Sequence, residues 1–389
     1  MPEYIHDRQA WPQFTWRMDV LADRLAAVRH RQGRLLGRMQ GMGFDLRAEA
    51  VLETLTEDVI KSSEIEGEVL DKDQVRSSIA RRLGMDIGAL TAADRNVEGV
   101  VEMMLDATQA YRDPLTSERL FDWHAALFPT GRSGMTRIVV GAWRTEASGP
   151  MQVVSGPFGR ERVHYEAPTF DRLDAEMDAF LAWFNAVPAT DPVLKAAVAH
   201  LWFVTIHPFD DGNGRIARAI ADMALARSEG STQRFYSMSA QIRLERQDYY
   251  AALEATQKGD LDITAWLDWF LNCLDRAFDG AEATLGAVMR KARFWEALAG
   301  QTLSERQIKA VNRLLDGFEG KLTTSKWAAL TKASADTALR DITDLVERGI
   351  LTKDEGGGRS TSYSLVDWIG WNASACLLVE GSSRDQSWT

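Results

Sequence analysis

Apolar residues recur along most of the chain at i, i+3, i+4 and i+7, and that spacing divides it into a succession of amphipathic helices. From Trp16 to about Met39, Val20, Leu21, Leu25 and Val28 and then Leu35, Leu36 and Met39 alternate with arginines, as in an amphipathic helix or a helical hairpin. Ala48 to Ser63 repeats the pattern, with Val51, Leu52, Leu55, Val59 and Ile60 as its inner stripe. Asp94 to Ala110, Thr116 to Leu127 and Phe170 to Phe184 read as further helices. Val193 to Ile206 is apolar with so few interruptions that it reads as buried, His200 being a core histidine. Ser239 to Gln257 and Thr264 to Ala277 each carry an aromatic stripe, which is core more often than cofactor site.

The period changes in two places. Met151 to Ser155 and Arg162 to Tyr165 are β-prone runs around Gly156-Pro157-Phe158-Gly159 and predict a hairpin, with His164 structural or peripheral. Near the C-terminus, helices over Ser304 to Asp316, Lys326 to Leu330 and Ala335 to Arg348 precede a second hairpin, Ile350 to Lys353 and Ser360 to Leu365 around Gly356-Gly357-Gly358. Three helices and a two-stranded wing resemble a winged helix-turn-helix. The polar stretch after Glu380 is expected to be disordered.

Composition narrows the class. A chain of 389 residues with 45% hydrophobic and 26% charged positions is an ordinary globular composition, long enough for about two or three domains. The expected division is an N-terminal helical region over 1–90, a core over 91–290, the winged module over 300–370 and a tail over 371–389. A net charge of -11 argues against a surface given over to nucleic acid. The helix from Ala335 sets Asp336, Asp341, Asp344 and Glu347 against Arg340, so docking of a protein, or dimerisation, is preferred to DNA for the last module. Two isolated cysteines, Cys273 and Cys376, suit a reducing cytoplasm and neither a zinc site nor a disulfide framework. The N-terminus lacks a basic flank and apolar run, and no run of apolar residues is long enough to span a membrane.

The chemistry is concentrated in His207-Pro208-Phe209-Asp210-Asp211-Gly212-Asn213-Gly214-Arg215-Ile216-Ala217-Arg218. Pro208 blocks the preceding helix, the glycines permit a tight turn, and a new helix starts near Asn213 through Ile216, Ala219, Ile220, Met223 and Leu225. A glycine-rich turn that opens a helix is an anion site, because free amides and the positive helix end point the same way. His207 can accept a proton near neutral pH, Asp211 offers a hard oxygen ligand, and Arg215 and Arg218 lie three apart on one helix. A P-loop lysine pattern is absent, so kinase and P-loop ATPase readings lack a phosphate-binding lysine and merit less weight.

This segment resembles the Fic family signature HPFx[DE]GNGRxxR and matches it at every fixed position. The resemblance implies a mainly helical core that transfers the AMP moiety of ATP to a hydroxyl side chain of another protein. It implies His207 as general base, Asp211 as the ligand of Mg2+, Gly212, Asn213 and Gly214 as the α-phosphate cradle, and Arg215 and Arg218 on the outer phosphates. Phe209 would anchor the loop in the core. Tyr249, Tyr250 and Asn272 are the implied adenine contacts, and the hairpin near Met151 to Ser155 is the implied flap on which the target protein docks. For assembly the family-level expectation is a homodimer.

Upstream, Ser62-Ser63-Glu64-Ile65-Glu66-Gly67-Glu68 reads by composition as a helix end with exposed acids, Gly67 being the stop. It also resembles the family's inhibitory pattern [ST]xxxE[GN] at Ser62, Glu66 and Gly67. That resemblance implies a carboxylate paired with Arg218, acting either as a brake on transfer or as a helper in hydrolysing an AMP–protein bond. Softer matches to the segment preceding some Fic cores lie at 32–37 and 75–84. The rival function from another class is a DNA-binding regulator that uses the C-terminal module.

Overall fold

The computed structural model describes residues 4–87, 91–156, 160, 162–187, 189–315, 317–318, 320–354 and 361–366. The polar tail, and the turns at 157–159 and 356–358, lie outside the described residues. The chain divides into two compact units, 1–285 and 286–389.

The first unit is almost wholly helical: α1 (Met18–Gln40), α2 (Phe44–Ile65), α3 (Lys72–Arg82), α4 (Arg95–Gln109), α5 (Ser117–Leu127), α6 (Leu173–Asn185), α7 (Pro192–Ile206), α8 (Asn213–Glu229), α9 (Met238–Leu244), α10 (Arg246–Gln257) and the start of α11 (Thr264–Ala297). Helix starts are written locally. Asp71, Asp94, Thr116, Asp191 and Ser237 each accept a first-turn amide through their side chains, and Pro192 takes the first position of α7, where its missing N–H costs nothing.

Every residue of α7 from Val193 to Ile206 is buried. It is the central rod of the unit and packs most extensively on α8. Two short strands, β1 (Arg132–Ser133) and β2 (Thr136–Arg137), and the hairpin β3 (Gln152–Ser155) and β4 (Arg162–Glu166) lie between α5 and α6 in sequence. The hairpin is antiparallel with an irregularity at Val153/Val154. Its root is fixed by Tyr165, fully buried, whose hydroxyl donates to the Thr205 carbonyl near the end of α7 at 2.7 Å.

Residues 4–87 pack as part of this unit. The inner face of α2 buries Leu52, Leu55, Val59 and Ile65, and also Asp58, which accepts the Ser237 hydroxyl and, at 3.2 Å, the Ser239 amide. Those two bonds tie α2 to α9.

Three boundaries differ from the sequence reading. The expected helix over Ser239 to Gln257 is broken at Glu245, which leaves helical geometry while its carboxylate is held by Arg276 of α11. The helix from Thr264 passes Ala277 and Gly280 and continues to Ala297, because Phe278, Ala281 and Leu285 extend its buried stripe and outweigh the ~1 kcal/mol that a helical glycine costs. The third is α3, which the sequence reading did not delineate.

The second unit holds α12 (Glu305–Leu315), α13 (Thr324–Thr331) and α14 (Ala335–Glu347) around Trp327, Ile342, Leu345 and Val311. β5 (Leu322–Thr323), β6 (Leu351–Lys353) and β7 (Ser362–Leu365) form an antiparallel sheet ordered β5-β7-β6. The expected hairpin therefore gains a third strand, supplied by the two residues before α13. Asp341 pairs with Arg306 at 3.2 Å and Asp344 with Arg348 at 2.8 Å, so these arginines answer acids of α14. Among the described residues no helix is long and apolar enough to cross a membrane.

Candidate active site

The loop from His207 to Gly212 joins α7 to α8. His207 caps α7 in the left-handed conformation, φ 53 and ψ 58, which is uncommon for a residue with a Cβ. Its Nδ1 lies 3.1 Å from the Val204 carbonyl. A carbonyl only accepts, so Nδ1 carries the proton and Nε2 keeps a lone pair free to take one. Burial holds the imidazole below its usual pKa, aided by the Arg144 guanidinium, so the ring is neutral at pH 7.

Residues from distant parts of the chain fix the loop's shape. Phe209 is fully buried and stacks on His124 with ring centroids 4.2 Å apart. Asn213 closes the loop on itself, its Oδ1 accepting the Phe209 amide at 3.0 Å and its Nδ2 donating to the Phe209 carbonyl at 2.8 Å. Arg144 donates from Nε to the His207 carbonyl and from its backbone to the Pro208 carbonyl, both at 2.9 Å, and from Nη2 to the Pro168 carbonyl. Asp210 accepts the Val139 amide at 2.9 Å and the Ser148 hydroxyl at 2.6 Å. His124 accepts the Gly141 amide at Nδ1, so its Nε2 carries the proton and donates to the Asp211 carbonyl at 3.2 Å.

The glycines are required by space as well as by backbone conformation. Gly212 has φ 83, and a Cβ there would lie 2.9 Å from the Phe128 ring. At Gly214 a Cβ would collide with Oε1 of Glu66. A carboxylate therefore already lies against the first turn of α8, whose first intrahelical bond is Ile216 to Gly212 and whose earlier amides have no helical partner.

That carboxylate comes from the end of α2. Glu66 is the cap residue, and Gly67, at φ 85, turns the chain away. Arg218 donates through Nη2 to Glu66 Oε1 and to the Ser62 carbonyl, both at 2.8 Å, and through Nε to the Ser62 hydroxyl at 3.0 Å. Burial opposes its charge, but the Glu66 carboxylate, with Tyr249 and Tyr250 beside it, outweighs that and raises the guanidinium's pKa. Arg215 is paired in the same manner, by Glu68 at 2.7 Å. Each arginine keeps one buried donor without an acceptor among the described residues, Nε of Arg215 and Nη1 of Arg218. Two orphaned guanidinium donors beside a turn of free amides fit an anion with several oxygens.

The remaining expected residues divide. Tyr249 is buried with its hydroxyl 2.9 Å from His200 Nε2, and Tyr250 lies beneath the Arg246 guanidinium, 5.0 Å from its ring centroid. Burial first, then Glu66, raises the Tyr250 hydroxyl, so this tyrosine stands within the field of the Glu66 carboxylate. Asn272 is engaged within its own helix. Its amide donates to the carbonyl and carboxylate of Asp268, whose carboxylate also holds Arg24 of α1. Asp211 accepts its neighbour's amide at 2.5 Å and the Ser133 hydroxyl. Among the described residues no cluster of three metal-ligating side chains exists. Asp211 alone suits Mg2+ that arrives on phosphate oxygens, since that ion takes one or two carboxylates and keeps water for the rest. Sequence reading missed Glu68, His124, Ser133, Arg144 and Asp210, although Glu68 stands two residues past Glu66 and Asp210 inside the signature.

Residues 114–225 match the Fic/DOC family model, and residues 4–85 match a model described as a domain of unknown function, DUF4172. Residues 114–225 therefore form a Fic/DOC domain. The chain is 31% identical over 132 residues to Protein adenylyltransferase Fic of Aedes aegypti, which covers 33% of the chain and 25% of that protein. It is 38% identical over 81 residues to Protein adenylyltransferase fic-1 of Caenorhabditis briggsae, covering 20% and 15% respectively. The chain thus spans a quarter or less of the length of these curated relatives. A crystal structure of a Fic family protein from Desulfovibrio desulfuricans superposes with a TM-score of 0.50 at 20% identity, over 88% of this chain and 95% of that one. That likeness carries the mainly helical fold and no more.

Proposed function

We propose that the protein is an adenylyltransferase that moves AMP from ATP to a hydroxyl of a target protein, and that the conformation described is its self-restrained form. The observation that carries this reading is the pairing of Glu66 with Arg218 over Gly214, which sets a carboxylate where a triphosphate tail would lie. In the reaction the target's hydroxyl oxygen attacks the α-phosphorus, its proton passes to Nε2 of His207, and the bond from that phosphorus to the pyrophosphate oxygen breaks. The free amides of the first turn of α8 hold the α-phosphate, and Arg215 and Arg218 take the departing pyrophosphate. Asp211 would hold Mg2+, which supplies neutralising charge on the phosphates. The unpaired outer edge of β3 among the described residues, with Val154 exposed, supports docking of the target segment by strand addition.

Glu66→Gly removes the carboxylate and leaves the loop intact. AMP incorporation from α-labelled ATP should rise at least tenfold over the parent, with a mass gain of one adenylate on a hydroxyl residue. Equal incorporation would remove the restraint from this reading. A hydrolytic role for Glu66 is the second reading, favoured by the 29% exposure of its side chain, which leaves room to orient water. Release of AMP from an AMP-modified protein, lost in Glu66→Gly, separates it from a pure brake.

A further inference from the structure

At the end of α7 remote from His207, three cationic side chains line one cavity, and no acid is among its lining residues. The cavity measures about 520 Å³ and is bounded by the ends of α4, α6 and α8, with Tyr111, Phe184 and Pro192 as apolar walls. Lys195 is only 8% exposed, yet among the described residues its ammonium makes one hydrogen bond, to the Ala186 carbonyl at 2.7 Å. It lies 5.2 Å above the Trp183 ring and 5.9 Å from that of Phe184. Arg227 donates to the carbonyls of Tyr111, Asp113 and Phe184 and sits 4.6 Å over the Phe184 ring. Arg112, at the exposed mouth, donates to the Tyr111 hydroxyl.

Capping of helix ends accounts for Arg227, whose donors reach carbonyls where α4 and α6 finish. It accounts for only one donor of Lys195, the one on the carbonyl of Ala186, the cap residue of α6. An ammonium has three donors, and here rings and one carbonyl stand where a counter-charge would usually be. Burial and then Arg227 push Lys195 down to about 8, and burial and then Arg119 push Arg227 down to about 10, with no carboxylate opposing either. In a chain of net charge -11, a sheltered concentration of positive charge of this kind calls for an anion.

We propose that this cavity binds a small oxyanion carried on an apolar body, with Lys195 and Arg112 on the oxyanion and Phe184, Tyr111 and Pro192 against the body. Its volume is in the range of small-molecule sites. By helical rise Lys195 stands roughly 18 Å from His207, so this is a second site, independent of the nucleotide reading.

The test is calorimetric titration of the full chain with phenylphosphate while the catalytic loop is filled with the α,β-methylene analogue of ATP. One saturable site should remain, weakened at least tenfold in Lys195→Gln and several-fold in Arg112→Gln, a surface change that leaves the fold in place. Benzoate should bind there too, and both should bind more tightly than inorganic phosphate. In the unaltered chain, phenylphosphate should slow acetylation of Lys195 by acetic anhydride, read by mass spectrometry. Absence of a saturable site, affinity unchanged in both variants, inorganic phosphate binding as tightly as phenylphosphate, or unprotected Lys195 would each overturn the proposal.

Discussion

Arg218 and Arg215 are the residues on which the proposed restraint turns, and each is answered by its own carboxylate. Glu66 was legible in the sequence because its motif is local: a helix stripe, a serine four residues earlier and a glycine stop. Glu68 was not, because an acid two residues beyond a helix end is ordinarily solvated, and only the path of the chain after Gly67 brings it to 2.7 Å from Arg215. Glu68→Gln should therefore raise AMP incorporation without the full effect of Glu66→Gly, by about two- to fivefold, because the half-exposed Glu68 carboxylate is screened by solvent and holds the buried Arg215 by roughly 0–1 kcal/mol. Incorporation unchanged from the parent would make the second pair incidental.

Two buried histidines set a pH dependence from the same scale. Burial holds His124 down at about 4 and His200 at about 3, whereas each would titrate near 6.5 in the unfolded chain. Between those limits the unfolded state binds the protons and the folded state does not, so stability falls as pH falls from about 6.5 towards 4. Urea unfolding at about pH 7 and pH 4.5 should differ by several kcal/mol, with His124→Gln reducing that difference by about 2 kcal/mol. A difference left unchanged in the variant would contradict a neutral, buried His124.

At the scale of elements, α2 is the part that matters most, and its docking depends on more than Glu66. Asp58, eight residues earlier, accepts the Ser237 hydroxyl and the Ser239 amide at the start of α9, and Arg246 of α10 donates to the Ile65 carbonyl at 2.8 Å. Asp58→Ala strands a buried amide, costing about 1–3 kcal/mol, and loosens the helix that delivers Glu66. Incorporation should rise while proteolytic cleavage after α2 becomes faster. Faster cleavage with no gain in incorporation would uncouple docking from restraint. Helix positions were readable wherever a stripe and a cap coincided, as at Asp94, Thr116 and Asp191. They were misread where a long-range ion pair intervened, as at Glu245, or where the stripe was followed only to Ala277 although buried Phe278 and Leu285 extend it. Asn272, expected as an adenine contact, has its amide taken by Asp268 within the same helix, which spacing along α11 does not reveal.

For the whole molecule, the order of chemistry along the chain explains what could be read and what could not. The signature lies in one segment because a helix, a turn and a helix N-terminus are contiguous by nature. The groups that hold that turn rigid come from far away: His124, Ser133, Arg144 and Ser148 reach it across 62 to 87 residues, and no spacing rule marks them. The central claim is that Nε2 of His207 is the base of an AMP transfer that Glu66 suppresses. It is tested most directly by measuring AMP incorporation from α-labelled ATP by Glu66→Gly and by Glu66→Gly/His207→Ala, with ATP affinity measured for both. Incorporation should fall in the double variant by about 10²–10⁴-fold with ATP affinity retained; equal incorporation by the two would contradict the assignment.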